Sequence, residues 1–203
     1  MDKAIPTFRG LAQLYQDLKE ETANPEDTLL KLLRTFRCSR NQDIETFLHK
    51  TALEFELRER SRTYLWLYPE ADQLTVAGYF TLALDVVELP DNTSKSLKKK
   101  LSKGYILAKP FLPAYLIGQL GRNDLTPKEV LPGRLILSKA LSIVEKANSL
   151  VGNKLVIIDV VDGDTERASR LVAWYKNFGF RKLDFIETKD KKLLRLYLIL
   201  RKK

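Results

Sequence analysis

Apolar and polar positions alternate along this chain with two periods, and the switches between them mark out its elements. From residue 43 to about 58, Ile44, Phe47, Leu48, Thr51, Ala52 and Phe55 recur every three or four positions, which stacks them on one face of a helix. The same spacing marks a short helix over residues 10–20 through Leu11, Leu14, Tyr15 and Leu18. It marks a longer one opening near Gly133 through Leu137, Ala140, Leu141, Val144 and Val151. A fourth runs from 165 to 178 through Ala168, Leu171, Val172 and Tyr175, with Asp164 as its cap and Gly179 in place for a left-handed stop.

Strand signals fill the intervals. Residues 62–68 are β-branched and aromatic, and residues 74–84 alternate, so with Pro69-Glu70-Ala71-Asp72 between them they predict a hairpin. Strands are also expected at 114–120, 154–161, 181–186 and 193–200. The last two are joined by Thr188-Lys189-Asp190-Lys191-Lys192, and the final strand is expected near a sheet edge. The short apolar run 29–37 reads as a further strand, followed by Ser39-Arg40-Asn41-Gln42 with the S-x-x-Q spacing of a capping box. The order predicts a mixed α/β fold around one central sheet, its 114–161 strand-helix-strand unit parallel and right-handed. Residues 1–28 are expected to be an N-terminal helical appendage or linker to a domain spanning 29–203, and 88–113, rich in Pro and Lys, an insertion that is helical around 94–102.

Composition narrows the chemistry. The 203 residues carry 44% hydrophobic and 30% charged side chains, which suits an ordinary folded domain with a substantial core. One cysteine, Cys38, and one histidine, His49, give no zinc-ligand spacing, so no metal is expected. The start of the chain lacks the apolar stretch of a signal peptide and no run approaches membrane-spanning length, which leads to the expectation of a cytoplasmic protein without a membrane partner. The formal charge of +9 favours polyanions or an anionic cofactor. Lys95, Lys98, Lys99, Lys100 and Lys103 crowd nine residues. They are either a solvated helix face docked through Leu97 and Leu101 or a nucleic-acid footprint.

Leu116-Ile117-Gly118-Gln119-Leu120, the loop Val130-Leu131-Pro132-Gly133-Arg134-Leu135 opening a helix, and Trp174-Tyr175-Lys176-Asn177-Phe178-Gly179-Phe180, in this order of elements, resemble the GNAT N-acetyltransferases over about residues 30–200. The resemblance implies the GNAT acyl-CoA acyltransferase fold, a central mixed sheet with helices on both faces, and acetyl-CoA as cosubstrate. It implies that Leu120, Gly121 and Arg122 meet pantetheine and that Val130, Leu131, Pro132, Gly133, Arg134 and Leu135 wrap the pyrophosphate. Val130 and Leu135 depart from the usual Gln/Arg and small residue of that loop, and Arg134 and Lys128 offer compensating charge. Tyr175 matches the position whose phenol protonates the departing CoA thiolate.

The implied reaction moves acetyl to a primary amine on a small molecule, a protein or an aminoacyl-tRNA, by a monomer or homodimer. Thr35-Phe36-Arg37-Cys38 and Ala77-Gly78-Tyr79-Phe80-Thr81-Leu82 also resemble the toxin-type branch, which acetylates aminoacyl-tRNA. Glu54, Glu56 and Asp85 are candidate bases without a secure choice among them, Gln119 and Asn123 are candidate ligand contacts, and Cys38 reads as an inert small hydrophobe. The alternative function is a catalytically weakened module of the same fold that binds nucleic acid or a protein partner through its basic surface.

Overall fold

This computed structural model describes residues 5–70, 73–102, 111–161, 166–188 and 191–201. Ala71, Asp72, Lys103, Gly104, Pro110, Asp164, Thr165, Lys189 and Asp190 lie outside them. The strands are β1 (Thr7–Gly10), β2 (Arg62–Glu70), β3 (Gln73–Glu88), β4 (Phe111–Arg122), β5 (Leu155–Val161), β6 (Arg181–Glu187) and β7 (Lys192–Ile199). The helices are α1 (Leu11–Glu21), α2 (Pro25–Leu33), α3 (Gln42–Lys50), α4 (Ala52–Leu57), α5 (Lys95–Leu101), α6 (Gly133–Val151) and α7 (Glu166–Asn177). The strand order is β1-β2-β3-β4-β5-β7-β6. Two compact units divide the chain: residues 5–83 with 118–143, and residues 84–117 with 144–201.

In the first unit β1, β2 and β3 form an antiparallel run, with Tyr64 opposite Phe80 and Phe8 opposite Trp66. Phe8, Tyr64 and Phe80 stack there, and Lys139 of α6 caps the Phe8 ring at 4.6 Å. The core gathers Leu11, Leu29, Leu33, Phe36, Leu48, Leu53, Leu65, Val76 and Tyr79 from α1 to α4 and the hairpin. The strand expected at 29–37 is instead the end of α2 and an irregular segment. Pro25 begins that helix, with Glu26 and Asp27 in its first turn and Lys31 in its last, a start whose polar sequence has the look of a linker. Leu29 and Leu33 face the core one turn apart, a spacing that the neighbouring Leu30 and Leu32 disguise. The capping-box expectation is corrected too, because the cap of α3 is Asn41, whose side chain accepts from the Asp43 N–H. The helix expected over 43–58 breaks at Thr51 into α3 and α4.

In the second unit β4 and β5 are parallel over Tyr115↔Val156 to Ile117↔Ile158, as expected for a crossover through a helix. β7 lies between β5 and β6 and is antiparallel to both. The last strand therefore lies near an edge, one place in from it, and β6 forms the edge itself. Its pattern, mostly exposed and charged, suits an edge. Val87, Leu89, Leu112, Ala114, Leu155, Ile157 and Tyr197 form the core of this unit, and Leu97 and Leu101 of α5 pack on it. Gly179 stands at φ +91° just after α7, the stop expected there.

Candidate active site

The loop entering α6 is seated by a missing side chain. A Cβ on Gly78 of β3 would lie 2.6 Å from Leu131 Cδ2, 3.0 Å from the Gly121 carbonyl oxygen and 3.2 Å from Ile136 Cδ1. Leu131 is fully buried, so this residue of the loop serves packing, while Val130, Pro132 and Gly133 are half-buried and Arg134 is exposed. Leu135 is also exposed, at 46%. Gly133 opens α6 on an accessible loop that also carries the exposed Arg134; the Leu135 N–H already donates to the Pro132 carbonyl at 2.9 Å, which leaves the Gly133 and Arg134 N–H groups as those that begin the helix without an intrahelical acceptor. Lys128 is exposed on the same loop.

The end of β4 supplies the other residues implied for the cofactor. Leu120 is half-buried. Gly121 is buried, and a Cβ there would meet Ile44 Cγ2 at 2.9 Å and Phe36 Cζ at 3.2 Å. Arg122 donates through Nη1 to the Thr126 carbonyl at 2.7 Å, which turns its charge back onto the loop it begins. The Gln119 N–H donates to Thr81 Oγ1 at 2.9 Å.

Asn123 is 1% exposed and its amide is spent internally, which removes it as a direct ligand contact. Nδ2 donates to the carbonyls of Val76 and Thr35 at 2.8 and 3.0 Å, and Oδ1 accepts from the Leu125 and Arg37 N–H groups at 3.1 and 3.3 Å. His49 is likewise structural. Its Nε2 lies 2.9 Å from the Phe36 carbonyl oxygen, which only accepts, so that nitrogen carries a proton.

In the second unit α7 turns Tyr175 inward beside Val172. The ring is 5% exposed and meets Phe180 and Trp174 edge-on, at 5.7 and 4.9 Å between centroids. Among the described residues the Tyr175 hydroxyl finds no hydrogen-bond partner. Burial pushes its pKa well above a phenol's ordinary value, so it stays protonated across the physiological range. A buried phenol that keeps its proton and spends it on no internal acceptor is available as a donor. Phe180 is core, at 2% exposed.

The candidate bases are all engaged. Glu54 pairs with Arg58 on the surface of α4 at 3.0 Å. Glu56 is buried, accepts from the Thr63 N–H at 2.7 Å and pairs with Arg62 at 3.1 Å, and burial raises its pKa. Asp85 belongs to a constellation that the sequence pattern does not reveal. Arg195 makes a two-pronged contact to Asp159, 2.8 Å on each prong, and reaches Asp85 Oδ2 at 3.1 Å. Only the register Asp159↔Arg195 brings the first two together, and nothing in local sequence announces it. Lys98, Lys99 and Lys100 sit in the last turn of α5, with Lys95 at its start. No group of three or more His, Cys, Asp or Glu among the described residues is arranged to hold a metal ion, and none of their helices is long and apolar enough to cross a membrane.

No family model matches the chain. It is 28% identical over 141 residues to a probable toxin TacT of Sinorhizobium fredii, covering 69% of this chain and 73% of that relative. Among solved structures it resembles AtaTR bound with AcCoA, with a TM-score of 0.59 at 20% identity over 97% of this chain and 95% of the other. It also resembles AtaT complexed with acetyl-methionyl-tRNAfMet, with a TM-score of 0.56 at 22% identity over 80% and 85%. A Tyr-to-Phe mutant of KacT gives a TM-score of 0.58 at 20% identity over 80% and 85%. The fold is that of the GNAT superfamily, as the motifs implied.

Proposed function

We propose that this GNAT-fold chain is an acetyl-CoA-dependent N-acetyltransferase whose acceptor is the α-amine of an aminoacyl-tRNA. The observation that carries the reading is the likeness, over four fifths or more of the chain, to AtaT with acetyl-methionyl-tRNAfMet and to AtaTR with AcCoA. The formal charge of +9 and the α5 lysines suit an RNA acceptor, whose phosphates attract such a surface.

Acetyl-CoA supplies an acetyl group activated as a thioester. The chain's part is to hold it and to manage one proton. The N–H groups that open α6 at Gly133, with Arg134 and Lys128 beside them, suit a pyrophosphate, because backbone donors and a helix dipole both favour negative charge. Residues 120–122 offer strand backbone to the pantetheine amides. Tyr175 is the general acid: its phenol, protonated and without an internal acceptor, lends a proton as the thiolate departs. The amine gives its own proton to water, since Glu54, Glu56 and Asp85 are each committed to arginines.

The test is transfer of labelled acetyl from acetyl-CoA to a set of tRNAs charged with different amino acids. Acetylated aminoacyl-tRNA is expected. Transfer only to free polyamines or peptides would remove the RNA acceptor and keep the enzyme. The second reading, a module weakened in catalysis, draws on the apolar Val130 and Leu135 in the phosphate loop. Thermal unfolding separates the two, because ligand at about 100-fold above its dissociation constant adds about 2.7 kcal/mol. No midpoint shift at millimolar acetyl-CoA would favour the module.

A further inference from the structure

Between α2 and α3 the first unit carries residues 34–41, which are neither helix nor strand, yet the polar groups of the strap 35–39 within them are bonded almost one by one. Thr35 Oγ1 accepts from the Val76 N–H at 2.9 Å and donates to the Leu32 carbonyl at 2.7 Å. The Phe36 carbonyl accepts from His49, and the Cys38 N–H donates to Glu45 Oε2 at 2.8 Å. The Arg37 carbonyl accepts from the Asp124 N–H at 2.9 Å, and the Ser39 N–H and hydroxyl both donate to Asp124 Oδ2, at 2.7 and 2.6 Å. Irregular backbone bonded this completely has no cheap way to move, since breaking each bond strands a polar group.

Part of this bonding runs to two consecutive residues, Asn123 and Asp124, that directly follow Leu120, Gly121 and Arg122. Asn123 joins three segments at once. Its side chain holds Thr35 and Arg37 of the strap and Val76 of β3, and its own N–H donates to the Ala77 carbonyl at 2.8 Å. Gly121 completes the seat, because the absence of its Cβ lets Phe36 of the strap come close to β4.

The geometry points to Asn123 as a positioning residue for acetyl-CoA, setting residues 120–122 and the start of the loop to α6 through the strap 35–39 without touching the ligand. This rests on the acyltransferase reading and adds to it a residue that acts through others. A strand that pairs with a ligand must present its N–H and carbonyl groups at hydrogen-bond spacing, and those bonds weaken steeply once the groups leave it. Aspartate at 123 keeps the size and the Oδ1 acceptor. Its second oxygen, however, would face the carbonyls of Thr35 and Val76, replacing two donated bonds by repulsion, so the end of β4 must shift.

The experiment measures the acetyl-CoA dissociation constant by calorimetry, and kcat at saturating acetyl-CoA, for the wild type, Asn123→Asp, Thr35→Val and Leu53→Ala. Leu53→Ala opens a cavity in the same unit's core and bonds to nothing in the strap, so it reports destabilisation alone. The dissociation constant should rise at least tenfold for Asn123→Asp and several-fold for Thr35→Val, with kcat within threefold of wild type. Leu53→Ala should leave both unmoved. Folded Asn123→Asp or Thr35→Val with wild-type affinity overturns the positioning role. If Asn123→Asp does not fold, Thr35→Val decides. A wild type that binds no acetyl-CoA sinks the acyltransferase reading and this proposal with it, whereas a binding wild type with unmoved variants sinks the proposal alone.

Discussion

Gly78 and Leu131 approach so closely that one methyl group on Gly78 would come within 2.6 Å of Leu131 Cδ2, so a residue of the first hairpin decides where the loop before α6 can lie. The Leu131 side chain could swing away, but the Gly121 carbonyl at 3.0 Å belongs to the backbone of β4 and yields less readily. Gly78→Ala should therefore destabilise by about 1–3 kcal/mol through overpacking. It should also weaken acetyl-CoA binding, because the loop has to lift. Urea denaturation with ligand titration checks both; a stable variant with unchanged affinity would mean that the loop position does not matter.

Tyr175→Phe removes one hydroxyl that has no partner among the described residues, so the fold should barely register the change. Turnover should fall by roughly 10² to 10⁴ if the phenol is the general acid. Steady-state kinetics beside a thermal melt separate these effects, and unchanged turnover would remove the role.

The pH profile follows from burial of the same phenol. A raised pKa keeps Tyr175 protonated at pH values where an exposed tyrosine, with a pKa of about 10, has begun to ionise. The acid form is thus present throughout neutral and mildly alkaline conditions, and kcat should show no alkaline fall from this group below about pH 10. A loss of kcat between about pH 8 and 9 that disappears in Tyr175→Phe would show that the phenol ionises more easily than its burial implies.

Arg195 joins β7 to Asp159 on β5 and to Asp85 on β3, with its side chain only 14% exposed. Arg195→Met keeps the bulk but leaves two half-buried carboxylates to face each other. The expected cost is about 1–3 kcal/mol, since each carboxylate loses a charged donor. Asp159→Asn should cost less, because the arginine retains Asp85. Chemical denaturation at neutral pH gives the order; equal costs would mean that the carboxylates are well solvated.

The α5 lysines are tested by salt. If an RNA backbone lies along them, log of the acceptor KM should rise linearly with log of salt concentration, and replacing Lys98, Lys99 and Lys100 by Glu should flatten that slope. Each phosphate no longer neutralised lowers it by about 0.7 to 0.9. Leu97 and Leu101 keep the helix docked in the variant, so its stability should hold. An unchanged slope would leave these lysines as a solvated face.

Most of the architecture is legible because amphipathic period is a local property. The hairpin, α5 with its Ser94 cap, α6 opening at Gly133, the apolar β5 and α7 ending before Gly179 all follow from residues close in sequence. Where the period is too short to express itself, the pattern misleads. Residues 29–37 contain too few turns to distinguish a buried helix from a strand, and the charged start at Pro25, Glu26 and Asp27 has the composition of a linker. β1, four residues long, has no pattern of its own and exists because β2 offers it an edge.

The sequence by itself determined which residues are candidates: an inward Tyr175, a glycine at the start of α6 with Arg134 beside it, and a basic α5. Tertiary structure decided what each was free to do. Asn123 looks like a polar residue available to a ligand, and His49 like a lone helical histidine, until long-range contacts show their donors spent on carbonyls of Thr35, Val76 and Phe36. Asp85 looks like an open carboxylate until Arg195, far along the chain, closes on it. The physical reason is common to all three. A side chain's chemistry is fixed by its covalent structure, but whether its hydrogen-bonding capacity remains available depends on partners that only the folded chain brings within reach.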